Sequence, residues 1–175
     1  MKSIPDDAPI GTAGSAPDFG ETAEWVVFWL DRGRYALPLA AVDRIVRAVH
    51  VTPLPRAPGI VLGAIDVQGR ILPVFNIRRR FGLPQRTIDP ADHFLIAHTA
   101  RRTVVLVIDA AQGVFEHAAM AVTPAVNIAP DLEHIRGVIQ LEDGLVLIHD
   151  LEHFLSPDEA RVLDEAMSQR ASHAD

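Results

Sequence analysis

The chain has 175 residues, enough for one ordinary domain or two small ones sharing a core. It is 49% hydrophobic and carries no cysteine, which fits a globular protein in a reducing cytoplasm and excludes disulfides, thiolate metal sites and cysteine nucleophiles. The formal net charge of −7 sits at the ends, −4 over residues 1–24 and −3 over 156–175. The neutral body between them is a poor electrostatic footprint for nucleic acid or an anionic membrane.

Residues 1–23 are rich in Pro, Gly, Ala, Ser and Asp and read as a disordered acidic tail, with no basic and apolar pattern of a secretory signal. From residue 25 onward, short apolar runs alternate with turn signals. Residues 25–30, 35–39, 61–67, 71–75, 94–98, 104–108, 137–141 and 145–148 read as strands. None of the apolar runs is long enough to span a bilayer. Residues 31–34, 99–102 and 142–144 read as hairpin turns, and Asp143-Gly144 suits a type I′ turn. Residues 76–81 and 150–154 read as single helical turns. Residues 156–168 read as a C-terminal helix, with Ser156 as N-cap, Pro157 in the first turn and Glu159 completing a capping box. Leu155, Val162, Leu163 and Ala166 supply its apolar face, and 169–175 reads as a tail.

The strand pattern repeats. Residues 63–77 lie over 137–151 without a gap, apolar on apolar, and Asn76-Ile77 matches Asp150-Leu151 at the strand exit. The preceding hairpins pair as 26–39 over 94–107. Two copies about seventy residues apart imply two equivalent small β-barrels within residues 24–155.

Sites of chemistry should show as converging acids, bases or ligands. His149-Asp-Leu-Glu152-His153 matches the H-x-x-E-H pattern of inverted zinc peptidases, which needs both histidines on one helix face. Here His149 ends an apolar strand, so a polar strand exit is the preferred reading. His93, His98, His117 and His134 are scattered between turns. The serines lie in the tails or at the helix cap, and no Gly-rich phosphate cradle precedes a helix. The expectation is no enzyme, no catalytic residue, no cofactor and no metal. Arg78-Arg79-Arg80 with Arg86, and Arg101-Arg102, read as solvated clusters or as the rim of a protein interface. RNA binding lacks the interleaved aromatics that base stacking needs. Val42, Ile45 and Val46 after the first hairpin, with Val114 in the second copy, read either as an exposed apolar strip lining a groove for a partner helix or hairpin, or as part of the core between the barrels.

The order Phe28-x-Leu30, Arg34-Tyr-Ala-Leu-Pro38, Val42-x-x-Ile45, Pro53-Leu-Pro55, Pro58-Gly-Ile60 and Gly63-Ala-Ile-Asp-Val-Gln-Gly69-Arg-Ile-Leu-Pro-Val-Phe-Asn-Ile77 resembles the CheW family. Val107-Ile-Asp109, Val114, Pro124, Ile135-x-Gly137, Gly144–Leu151 and Phe154-Leu155 extend the resemblance to about residues 24–167. It implies a mainly β protein of two intertwined SH3-like five-stranded barrels with short helices and a C-terminal helix. It also implies a cytoplasmic adaptor, recruited to membrane receptor arrays. The partners implied are the cytoplasmic tip of a chemoreceptor and the regulatory domain of a CheA-type histidine kinase, itself a double barrel. The partner-binding positions carried over are Val42, Arg44, Ile45, Gly63, Gln68 and Gly69. Family members commonly have Glu where this chain has Arg44, and Arg where it has Gln68. An adaptor for a dedicated non-flagellar receptor–kinase set, with altered specificity, is the alternative.

Overall fold

The computed structural model describes residues 22–118, 122–128 and 133–173, so the 1–23 tail lies largely outside the described residues. Among the described residues, eleven strands form two sheets. One sheet runs through β3 (Val42–Arg47), β6 (His93–His98), β7 (Thr103–Ile108), β5 (Arg70–Phe75) and β4 (Val61–Val67). The other runs through β8 (Ala110–Ala118), β1 (Thr22–Leu30), β2 (Gly33–Pro38), β11 (Gly144–His149), β10 (Ile135–Leu141) and β9 (Val122–Pro124). These are the two expected SH3-like barrels, the second with a sixth short strand. They are intertwined, because the β1–β2 hairpin leaves the N-terminal half and joins the sheet finished by the C-terminal strands. The joints are parallel pairings, Ala36 with Ile148 in one barrel and Val105 with Val74 in the other.

The duplication extends to single side chains. One barrel is filled by Trp25, Val27, Ala36, Ile139, Val146 and Ile148. The other is filled by Phe94, Ile96, Val105, Ile65, Leu72 and Val74, which match the first set position by position. The 63–77 over 137–151 match is thereby confirmed. The hairpin match is corrected by one residue, since Trp25, not Val26, takes the place of Phe94. A one-residue slip would move every side chain to the opposite face.

The opposite faces of the same strands meet between the barrels. Val26, Phe28, Leu30, Tyr35 and Leu37 pack with Leu95, Ala97, Val104, Leu106 and Ile108 in a shared seam. Each large aliphatic or aromatic side chain so buried contributes about 1.5–3 kcal/mol. Two helices close the seam. The first is a single turn, α1 (Ile77–Arg80), with Ile77 buried in the seam. The second, α2 (Pro157–His173), buries Leu163 and Ala166 there. The capping box holds as expected: the Ser156 hydroxyl accepts from the Glu159 N–H at 3.1 Å, and a Glu159 carboxylate oxygen accepts from the Ser156 N–H at 2.9 Å. The helix continues past residue 168. The single turn expected at 150–154 does not form, and residues 151–155 are bends. The β10–β11 turn is Glu142-Asp143, with Gly144 already paired to Leu141, one residue earlier than the Asp143-Gly144 reading.

Close backbone approach fixes two glycines. Gly63, at φ +154°, lies against the carbonyl of Thr52, which bridges Ala64. Its counterpart Gly137 would place a Cβ 2.8 Å from the Thr123 carbonyl oxygen. Replacing Gly63 by Ala meets both a backbone clash and an unfavourable φ, so it should cost about 3 kcal/mol or more, and Gly137→Ala about 1–2 kcal/mol. Urea unfolding of the two variants checks both the size and the order.

His149 stands where the first copy has Phe75. Its ring is 1% exposed and edge-on to Phe81 and Phe154 at centroid distances of 5.1 and 5.6 Å. Nδ1 lies 3.2 Å from the His134 carbonyl oxygen, and Nε2 has no partner among the described residues. Burial pushes this imidazole down to about 4 from its ordinary 6.5, against the pull of the His134 carbonyl. The unfolded chain therefore binds the proton first. Stability is intact above about pH 6.5, falls as the pH drops toward 4, and loses about 3 kcal/mol in all. In His149→Phe that component of the pH dependence should vanish, as thermal melts at pH 7 and pH 4.5 would reveal.

Candidate functional site

The strip expected to meet a partner maps onto β3, which among the described residues is an edge strand with only β6 beside it. Val42 pairs with Ala97, Arg44 with Ile96 and Ile45 with Leu95, so the strand carries a bulge at Asp43. The bulge matters because strand residues three apart normally face opposite ways. Here Val42 and Ile45 share a face, and both pack, half-buried, against the seam. Arg44 stays exposed, with its Nε 3.1 Å from the carboxylate of Asp43. The second copy repeats the bulge on β8, where Val26 pairs with Val114 as Leu95 does with Ile45. Val114 is 55% exposed.

Gln68 and Gly69 form the two-residue turn between β4 and β5, with φ of 54° and 82°. Positive φ at both positions is what a type I′ turn requires. A carboxylate oxygen of Asp66 accepts from the Gly69 N–H at 2.8 Å and fixes the turn. Gln68 is thus an exposed side chain on a strained but well-held backbone. Gly63 is buried under Thr52, where it has a structural task of its own.

Apart from Arg101, the arginine clusters are tied into the fold rather than forming a solvated face or a free rim. Arg78 is 7% exposed and holds both oxygens of Asp109, at 2.6 and 2.5 Å. Arg86 bridges Asp109 at 2.8 Å and Asp92 at 2.7 Å. Asp109 also accepts from the Asp31 N–H at 2.7 Å, so one carboxylate joins the β1–β2 turn to α1 and the 82–92 loop. Burial works to raise the Asp92 carboxyl, and the Arg86 guanidinium overcomes it, holding it below its ordinary range. Arg79 donates to the Gly59 carbonyl, Arg80 grips Glu159 of α2, and Arg102 grips Asp164 of the same helix. Arg101, at the β6–β7 turn, is exposed and its side chain makes no hydrogen bond or ion pair among the described residues.

The H-x-x-E-H residues do not converge. His149 is buried, whereas His153 is exposed and turned to Asp150 at 3.1 Å. Glu152 accepts from the Ala100 N–H instead. No helix joins them, and no group of three metal-ligating side chains occurs among the described residues. The zinc hydrolase reading has no support in this geometry. No helix among the described residues is long and apolar enough to cross a membrane.

The model of the CheW-like domain family matches residues 24–159. The chemotaxis protein CheW of Rhizobium meliloti (strain 1021) is 26% identical over 138 residues, covering 78% of this chain and 89% of its own length. Protein FrzA of Myxococcus xanthus is 27% identical over 124 residues, covering 67% and 74%. The crystal structure of the scaffolding protein TtCheW from Thermoanaerobacter tengcongensis matches with a TM-score of 0.72 at 24% identity, covering 78% of this chain and 94% of its own, a likeness of fold. The match spans both barrels, and so the chain belongs to the CheW-like family of non-enzymatic chemotaxis adaptors.

Proposed function

We propose that this protein couples the signalling tip of a chemoreceptor to the regulatory domain of a CheA-type histidine kinase. It does so in the cytoplasm, through β3 and the β4–β5 turn. The observation that carries this reading is the bulged edge of β3. It sets Val42 and Ile45 on one apolar strip beside an exposed Arg44, on a strand whose outer edge pairs with no other strand among the described residues. Such an edge suits a partner helix or a second small barrel. Arg44 and Gln68 replace the Glu and Arg common in the family, and this favours a second reading within the same fold. In that reading the receptor and kinase belong to a dedicated set with matching charge changes.

Titration calorimetry with a receptor signalling fragment and with a kinase regulatory domain, both from the source cell, tests the proposal. Binding to both is expected, and binding to neither would sink it. Pull-downs against each receptor–kinase set of that cell separate the two readings. Capture of only the main chemotaxis set excludes the dedicated circuit.

Arg44→Glu should leave stability within about 0.5 kcal/mol, since its local ion pair is exposed. The same change should shift affinity for the matched partner by about tenfold or more. Gln68→Gly relieves a left-handed backbone and should stabilise the fold by up to about 1 kcal/mol. Gln68→Arg keeps that backbone, so its effect on affinity reports the side chain alone.

A further inference from the structure

The α2 helix reaches well beyond the family match, which ends at residue 159. Its last turns, with the loop between β3 and β4, form an open groove of about 610 Å³ lined by Pro55, Arg56, Ala166, Gln169 and Arg170. Both guanidinium groups lack a hydrogen bond or ion pair among the described residues. Arg34, Arg78, Arg80, Arg86 and Arg102, by contrast, each hold a carboxylate. Arg170 is half-buried, so part of its hydration is lost with no anion to replace it. Arg56 has a φ of 63°, a left-handed conformation that costs a non-glycine residue stability and recurs at binding sites.

We infer that this groove is a docking site for an acidic segment of a partner protein, one with carboxylates flanking an apolar residue. The carboxylates pair with Arg56 and Arg170, and the apolar residue seats on Pro55 and Ala166. Arginine suits this task because its forked donors match a carboxylate and lose little freedom on pairing. The site adds a charge-reading contact, built largely by this chain's own helix, to the apolar strip on β3.

The test uses the full chain and a short peptide of repeated Glu-Glu-Leu, read by amide NMR shifts and fluorescence anisotropy. Saturable shifts at Arg56, Ala166 and Arg170 are expected, weakening as salt is added. Each lost guanidinium–carboxylate pair should weaken binding about tenfold, so Arg56→Glu with Arg170→Glu should abolish it. Arg56→Gly relaxes the backbone while removing the guanidinium. It should raise the melting temperature and still weaken the peptide about tenfold, which a merely structural arginine would not do. Shifts elsewhere, unchanged affinity in the variants, or equal binding of a Lys-Lys-Leu or Gln-Gln-Leu peptide would overturn the inference. The probe contains neither receptor nor kinase, so its failure is distinct from failure of the adaptor proposal.

Discussion

Strands β1, β2, β6 and β7 are each buried on both faces, and the rest of the protein follows from that requirement. Trp25 and Val27 point into one barrel while Val26 and Phe28 point into the seam. Phe94 and Ile96 point into the other barrel while Leu95 and Ala97 meet the seam. Neither barrel can leave the other without exposing a complete row of large apolar side chains, at about 1.5–3 kcal/mol for each. Parallel joints at Ala36–Ile148 and Val105–Val74 tie each hairpin into a sheet finished by strands distant in sequence.

The polar architecture serves the same end. Asp109 gathers Asp31, Arg78 and Arg86, while Arg80 and Arg102 pin α2 across the seam. Residues that look like a basic patch in one dimension therefore work as internal clasps. Removing one partner of such a pair is costly because the other charge is left desolvated. Left outside are, among other features, the bulged edge β3 with Arg44, the Gln68-Gly69 turn, the exposed Val114 edge of the second barrel and the groove flanked by Arg56 and Arg170. An adaptor needs this combination of a stiff body and unpaired edges, since it transmits geometry without chemistry of its own.

The sequence revealed the duplication because hairpins β4–β5 and β10–β11 have the same length and the same exit residues. The capping box was equally plain, since Ser156 and Glu159 act locally. The hairpin register was not readable, because strands buried on both faces lose the period-two alternation that marks which side is which. Strand β8 was hidden by the weak strand formers in Ala110-Ala-Gln-Gly113. The candidate strip was visible as Val42 and Ile45, but the bulge that puts them on one face depends on pairing with β6. The arginine clasps were out of reach, because Arg78 and Arg80 find their carboxylates 31 and 79 residues away.

The central claim is that the two barrels form one cooperative body through their shared seam. Both tryptophans lie on β1, so their fluorescence reports the barrel closed by β8–β11. Methyl resonances of Ile65 and Ile96 report the other barrel. In an equilibrium urea titration followed by both probes, the account predicts one transition with coincident midpoints. Separate midpoints, with one barrel still folded after the other has melted, would contradict it.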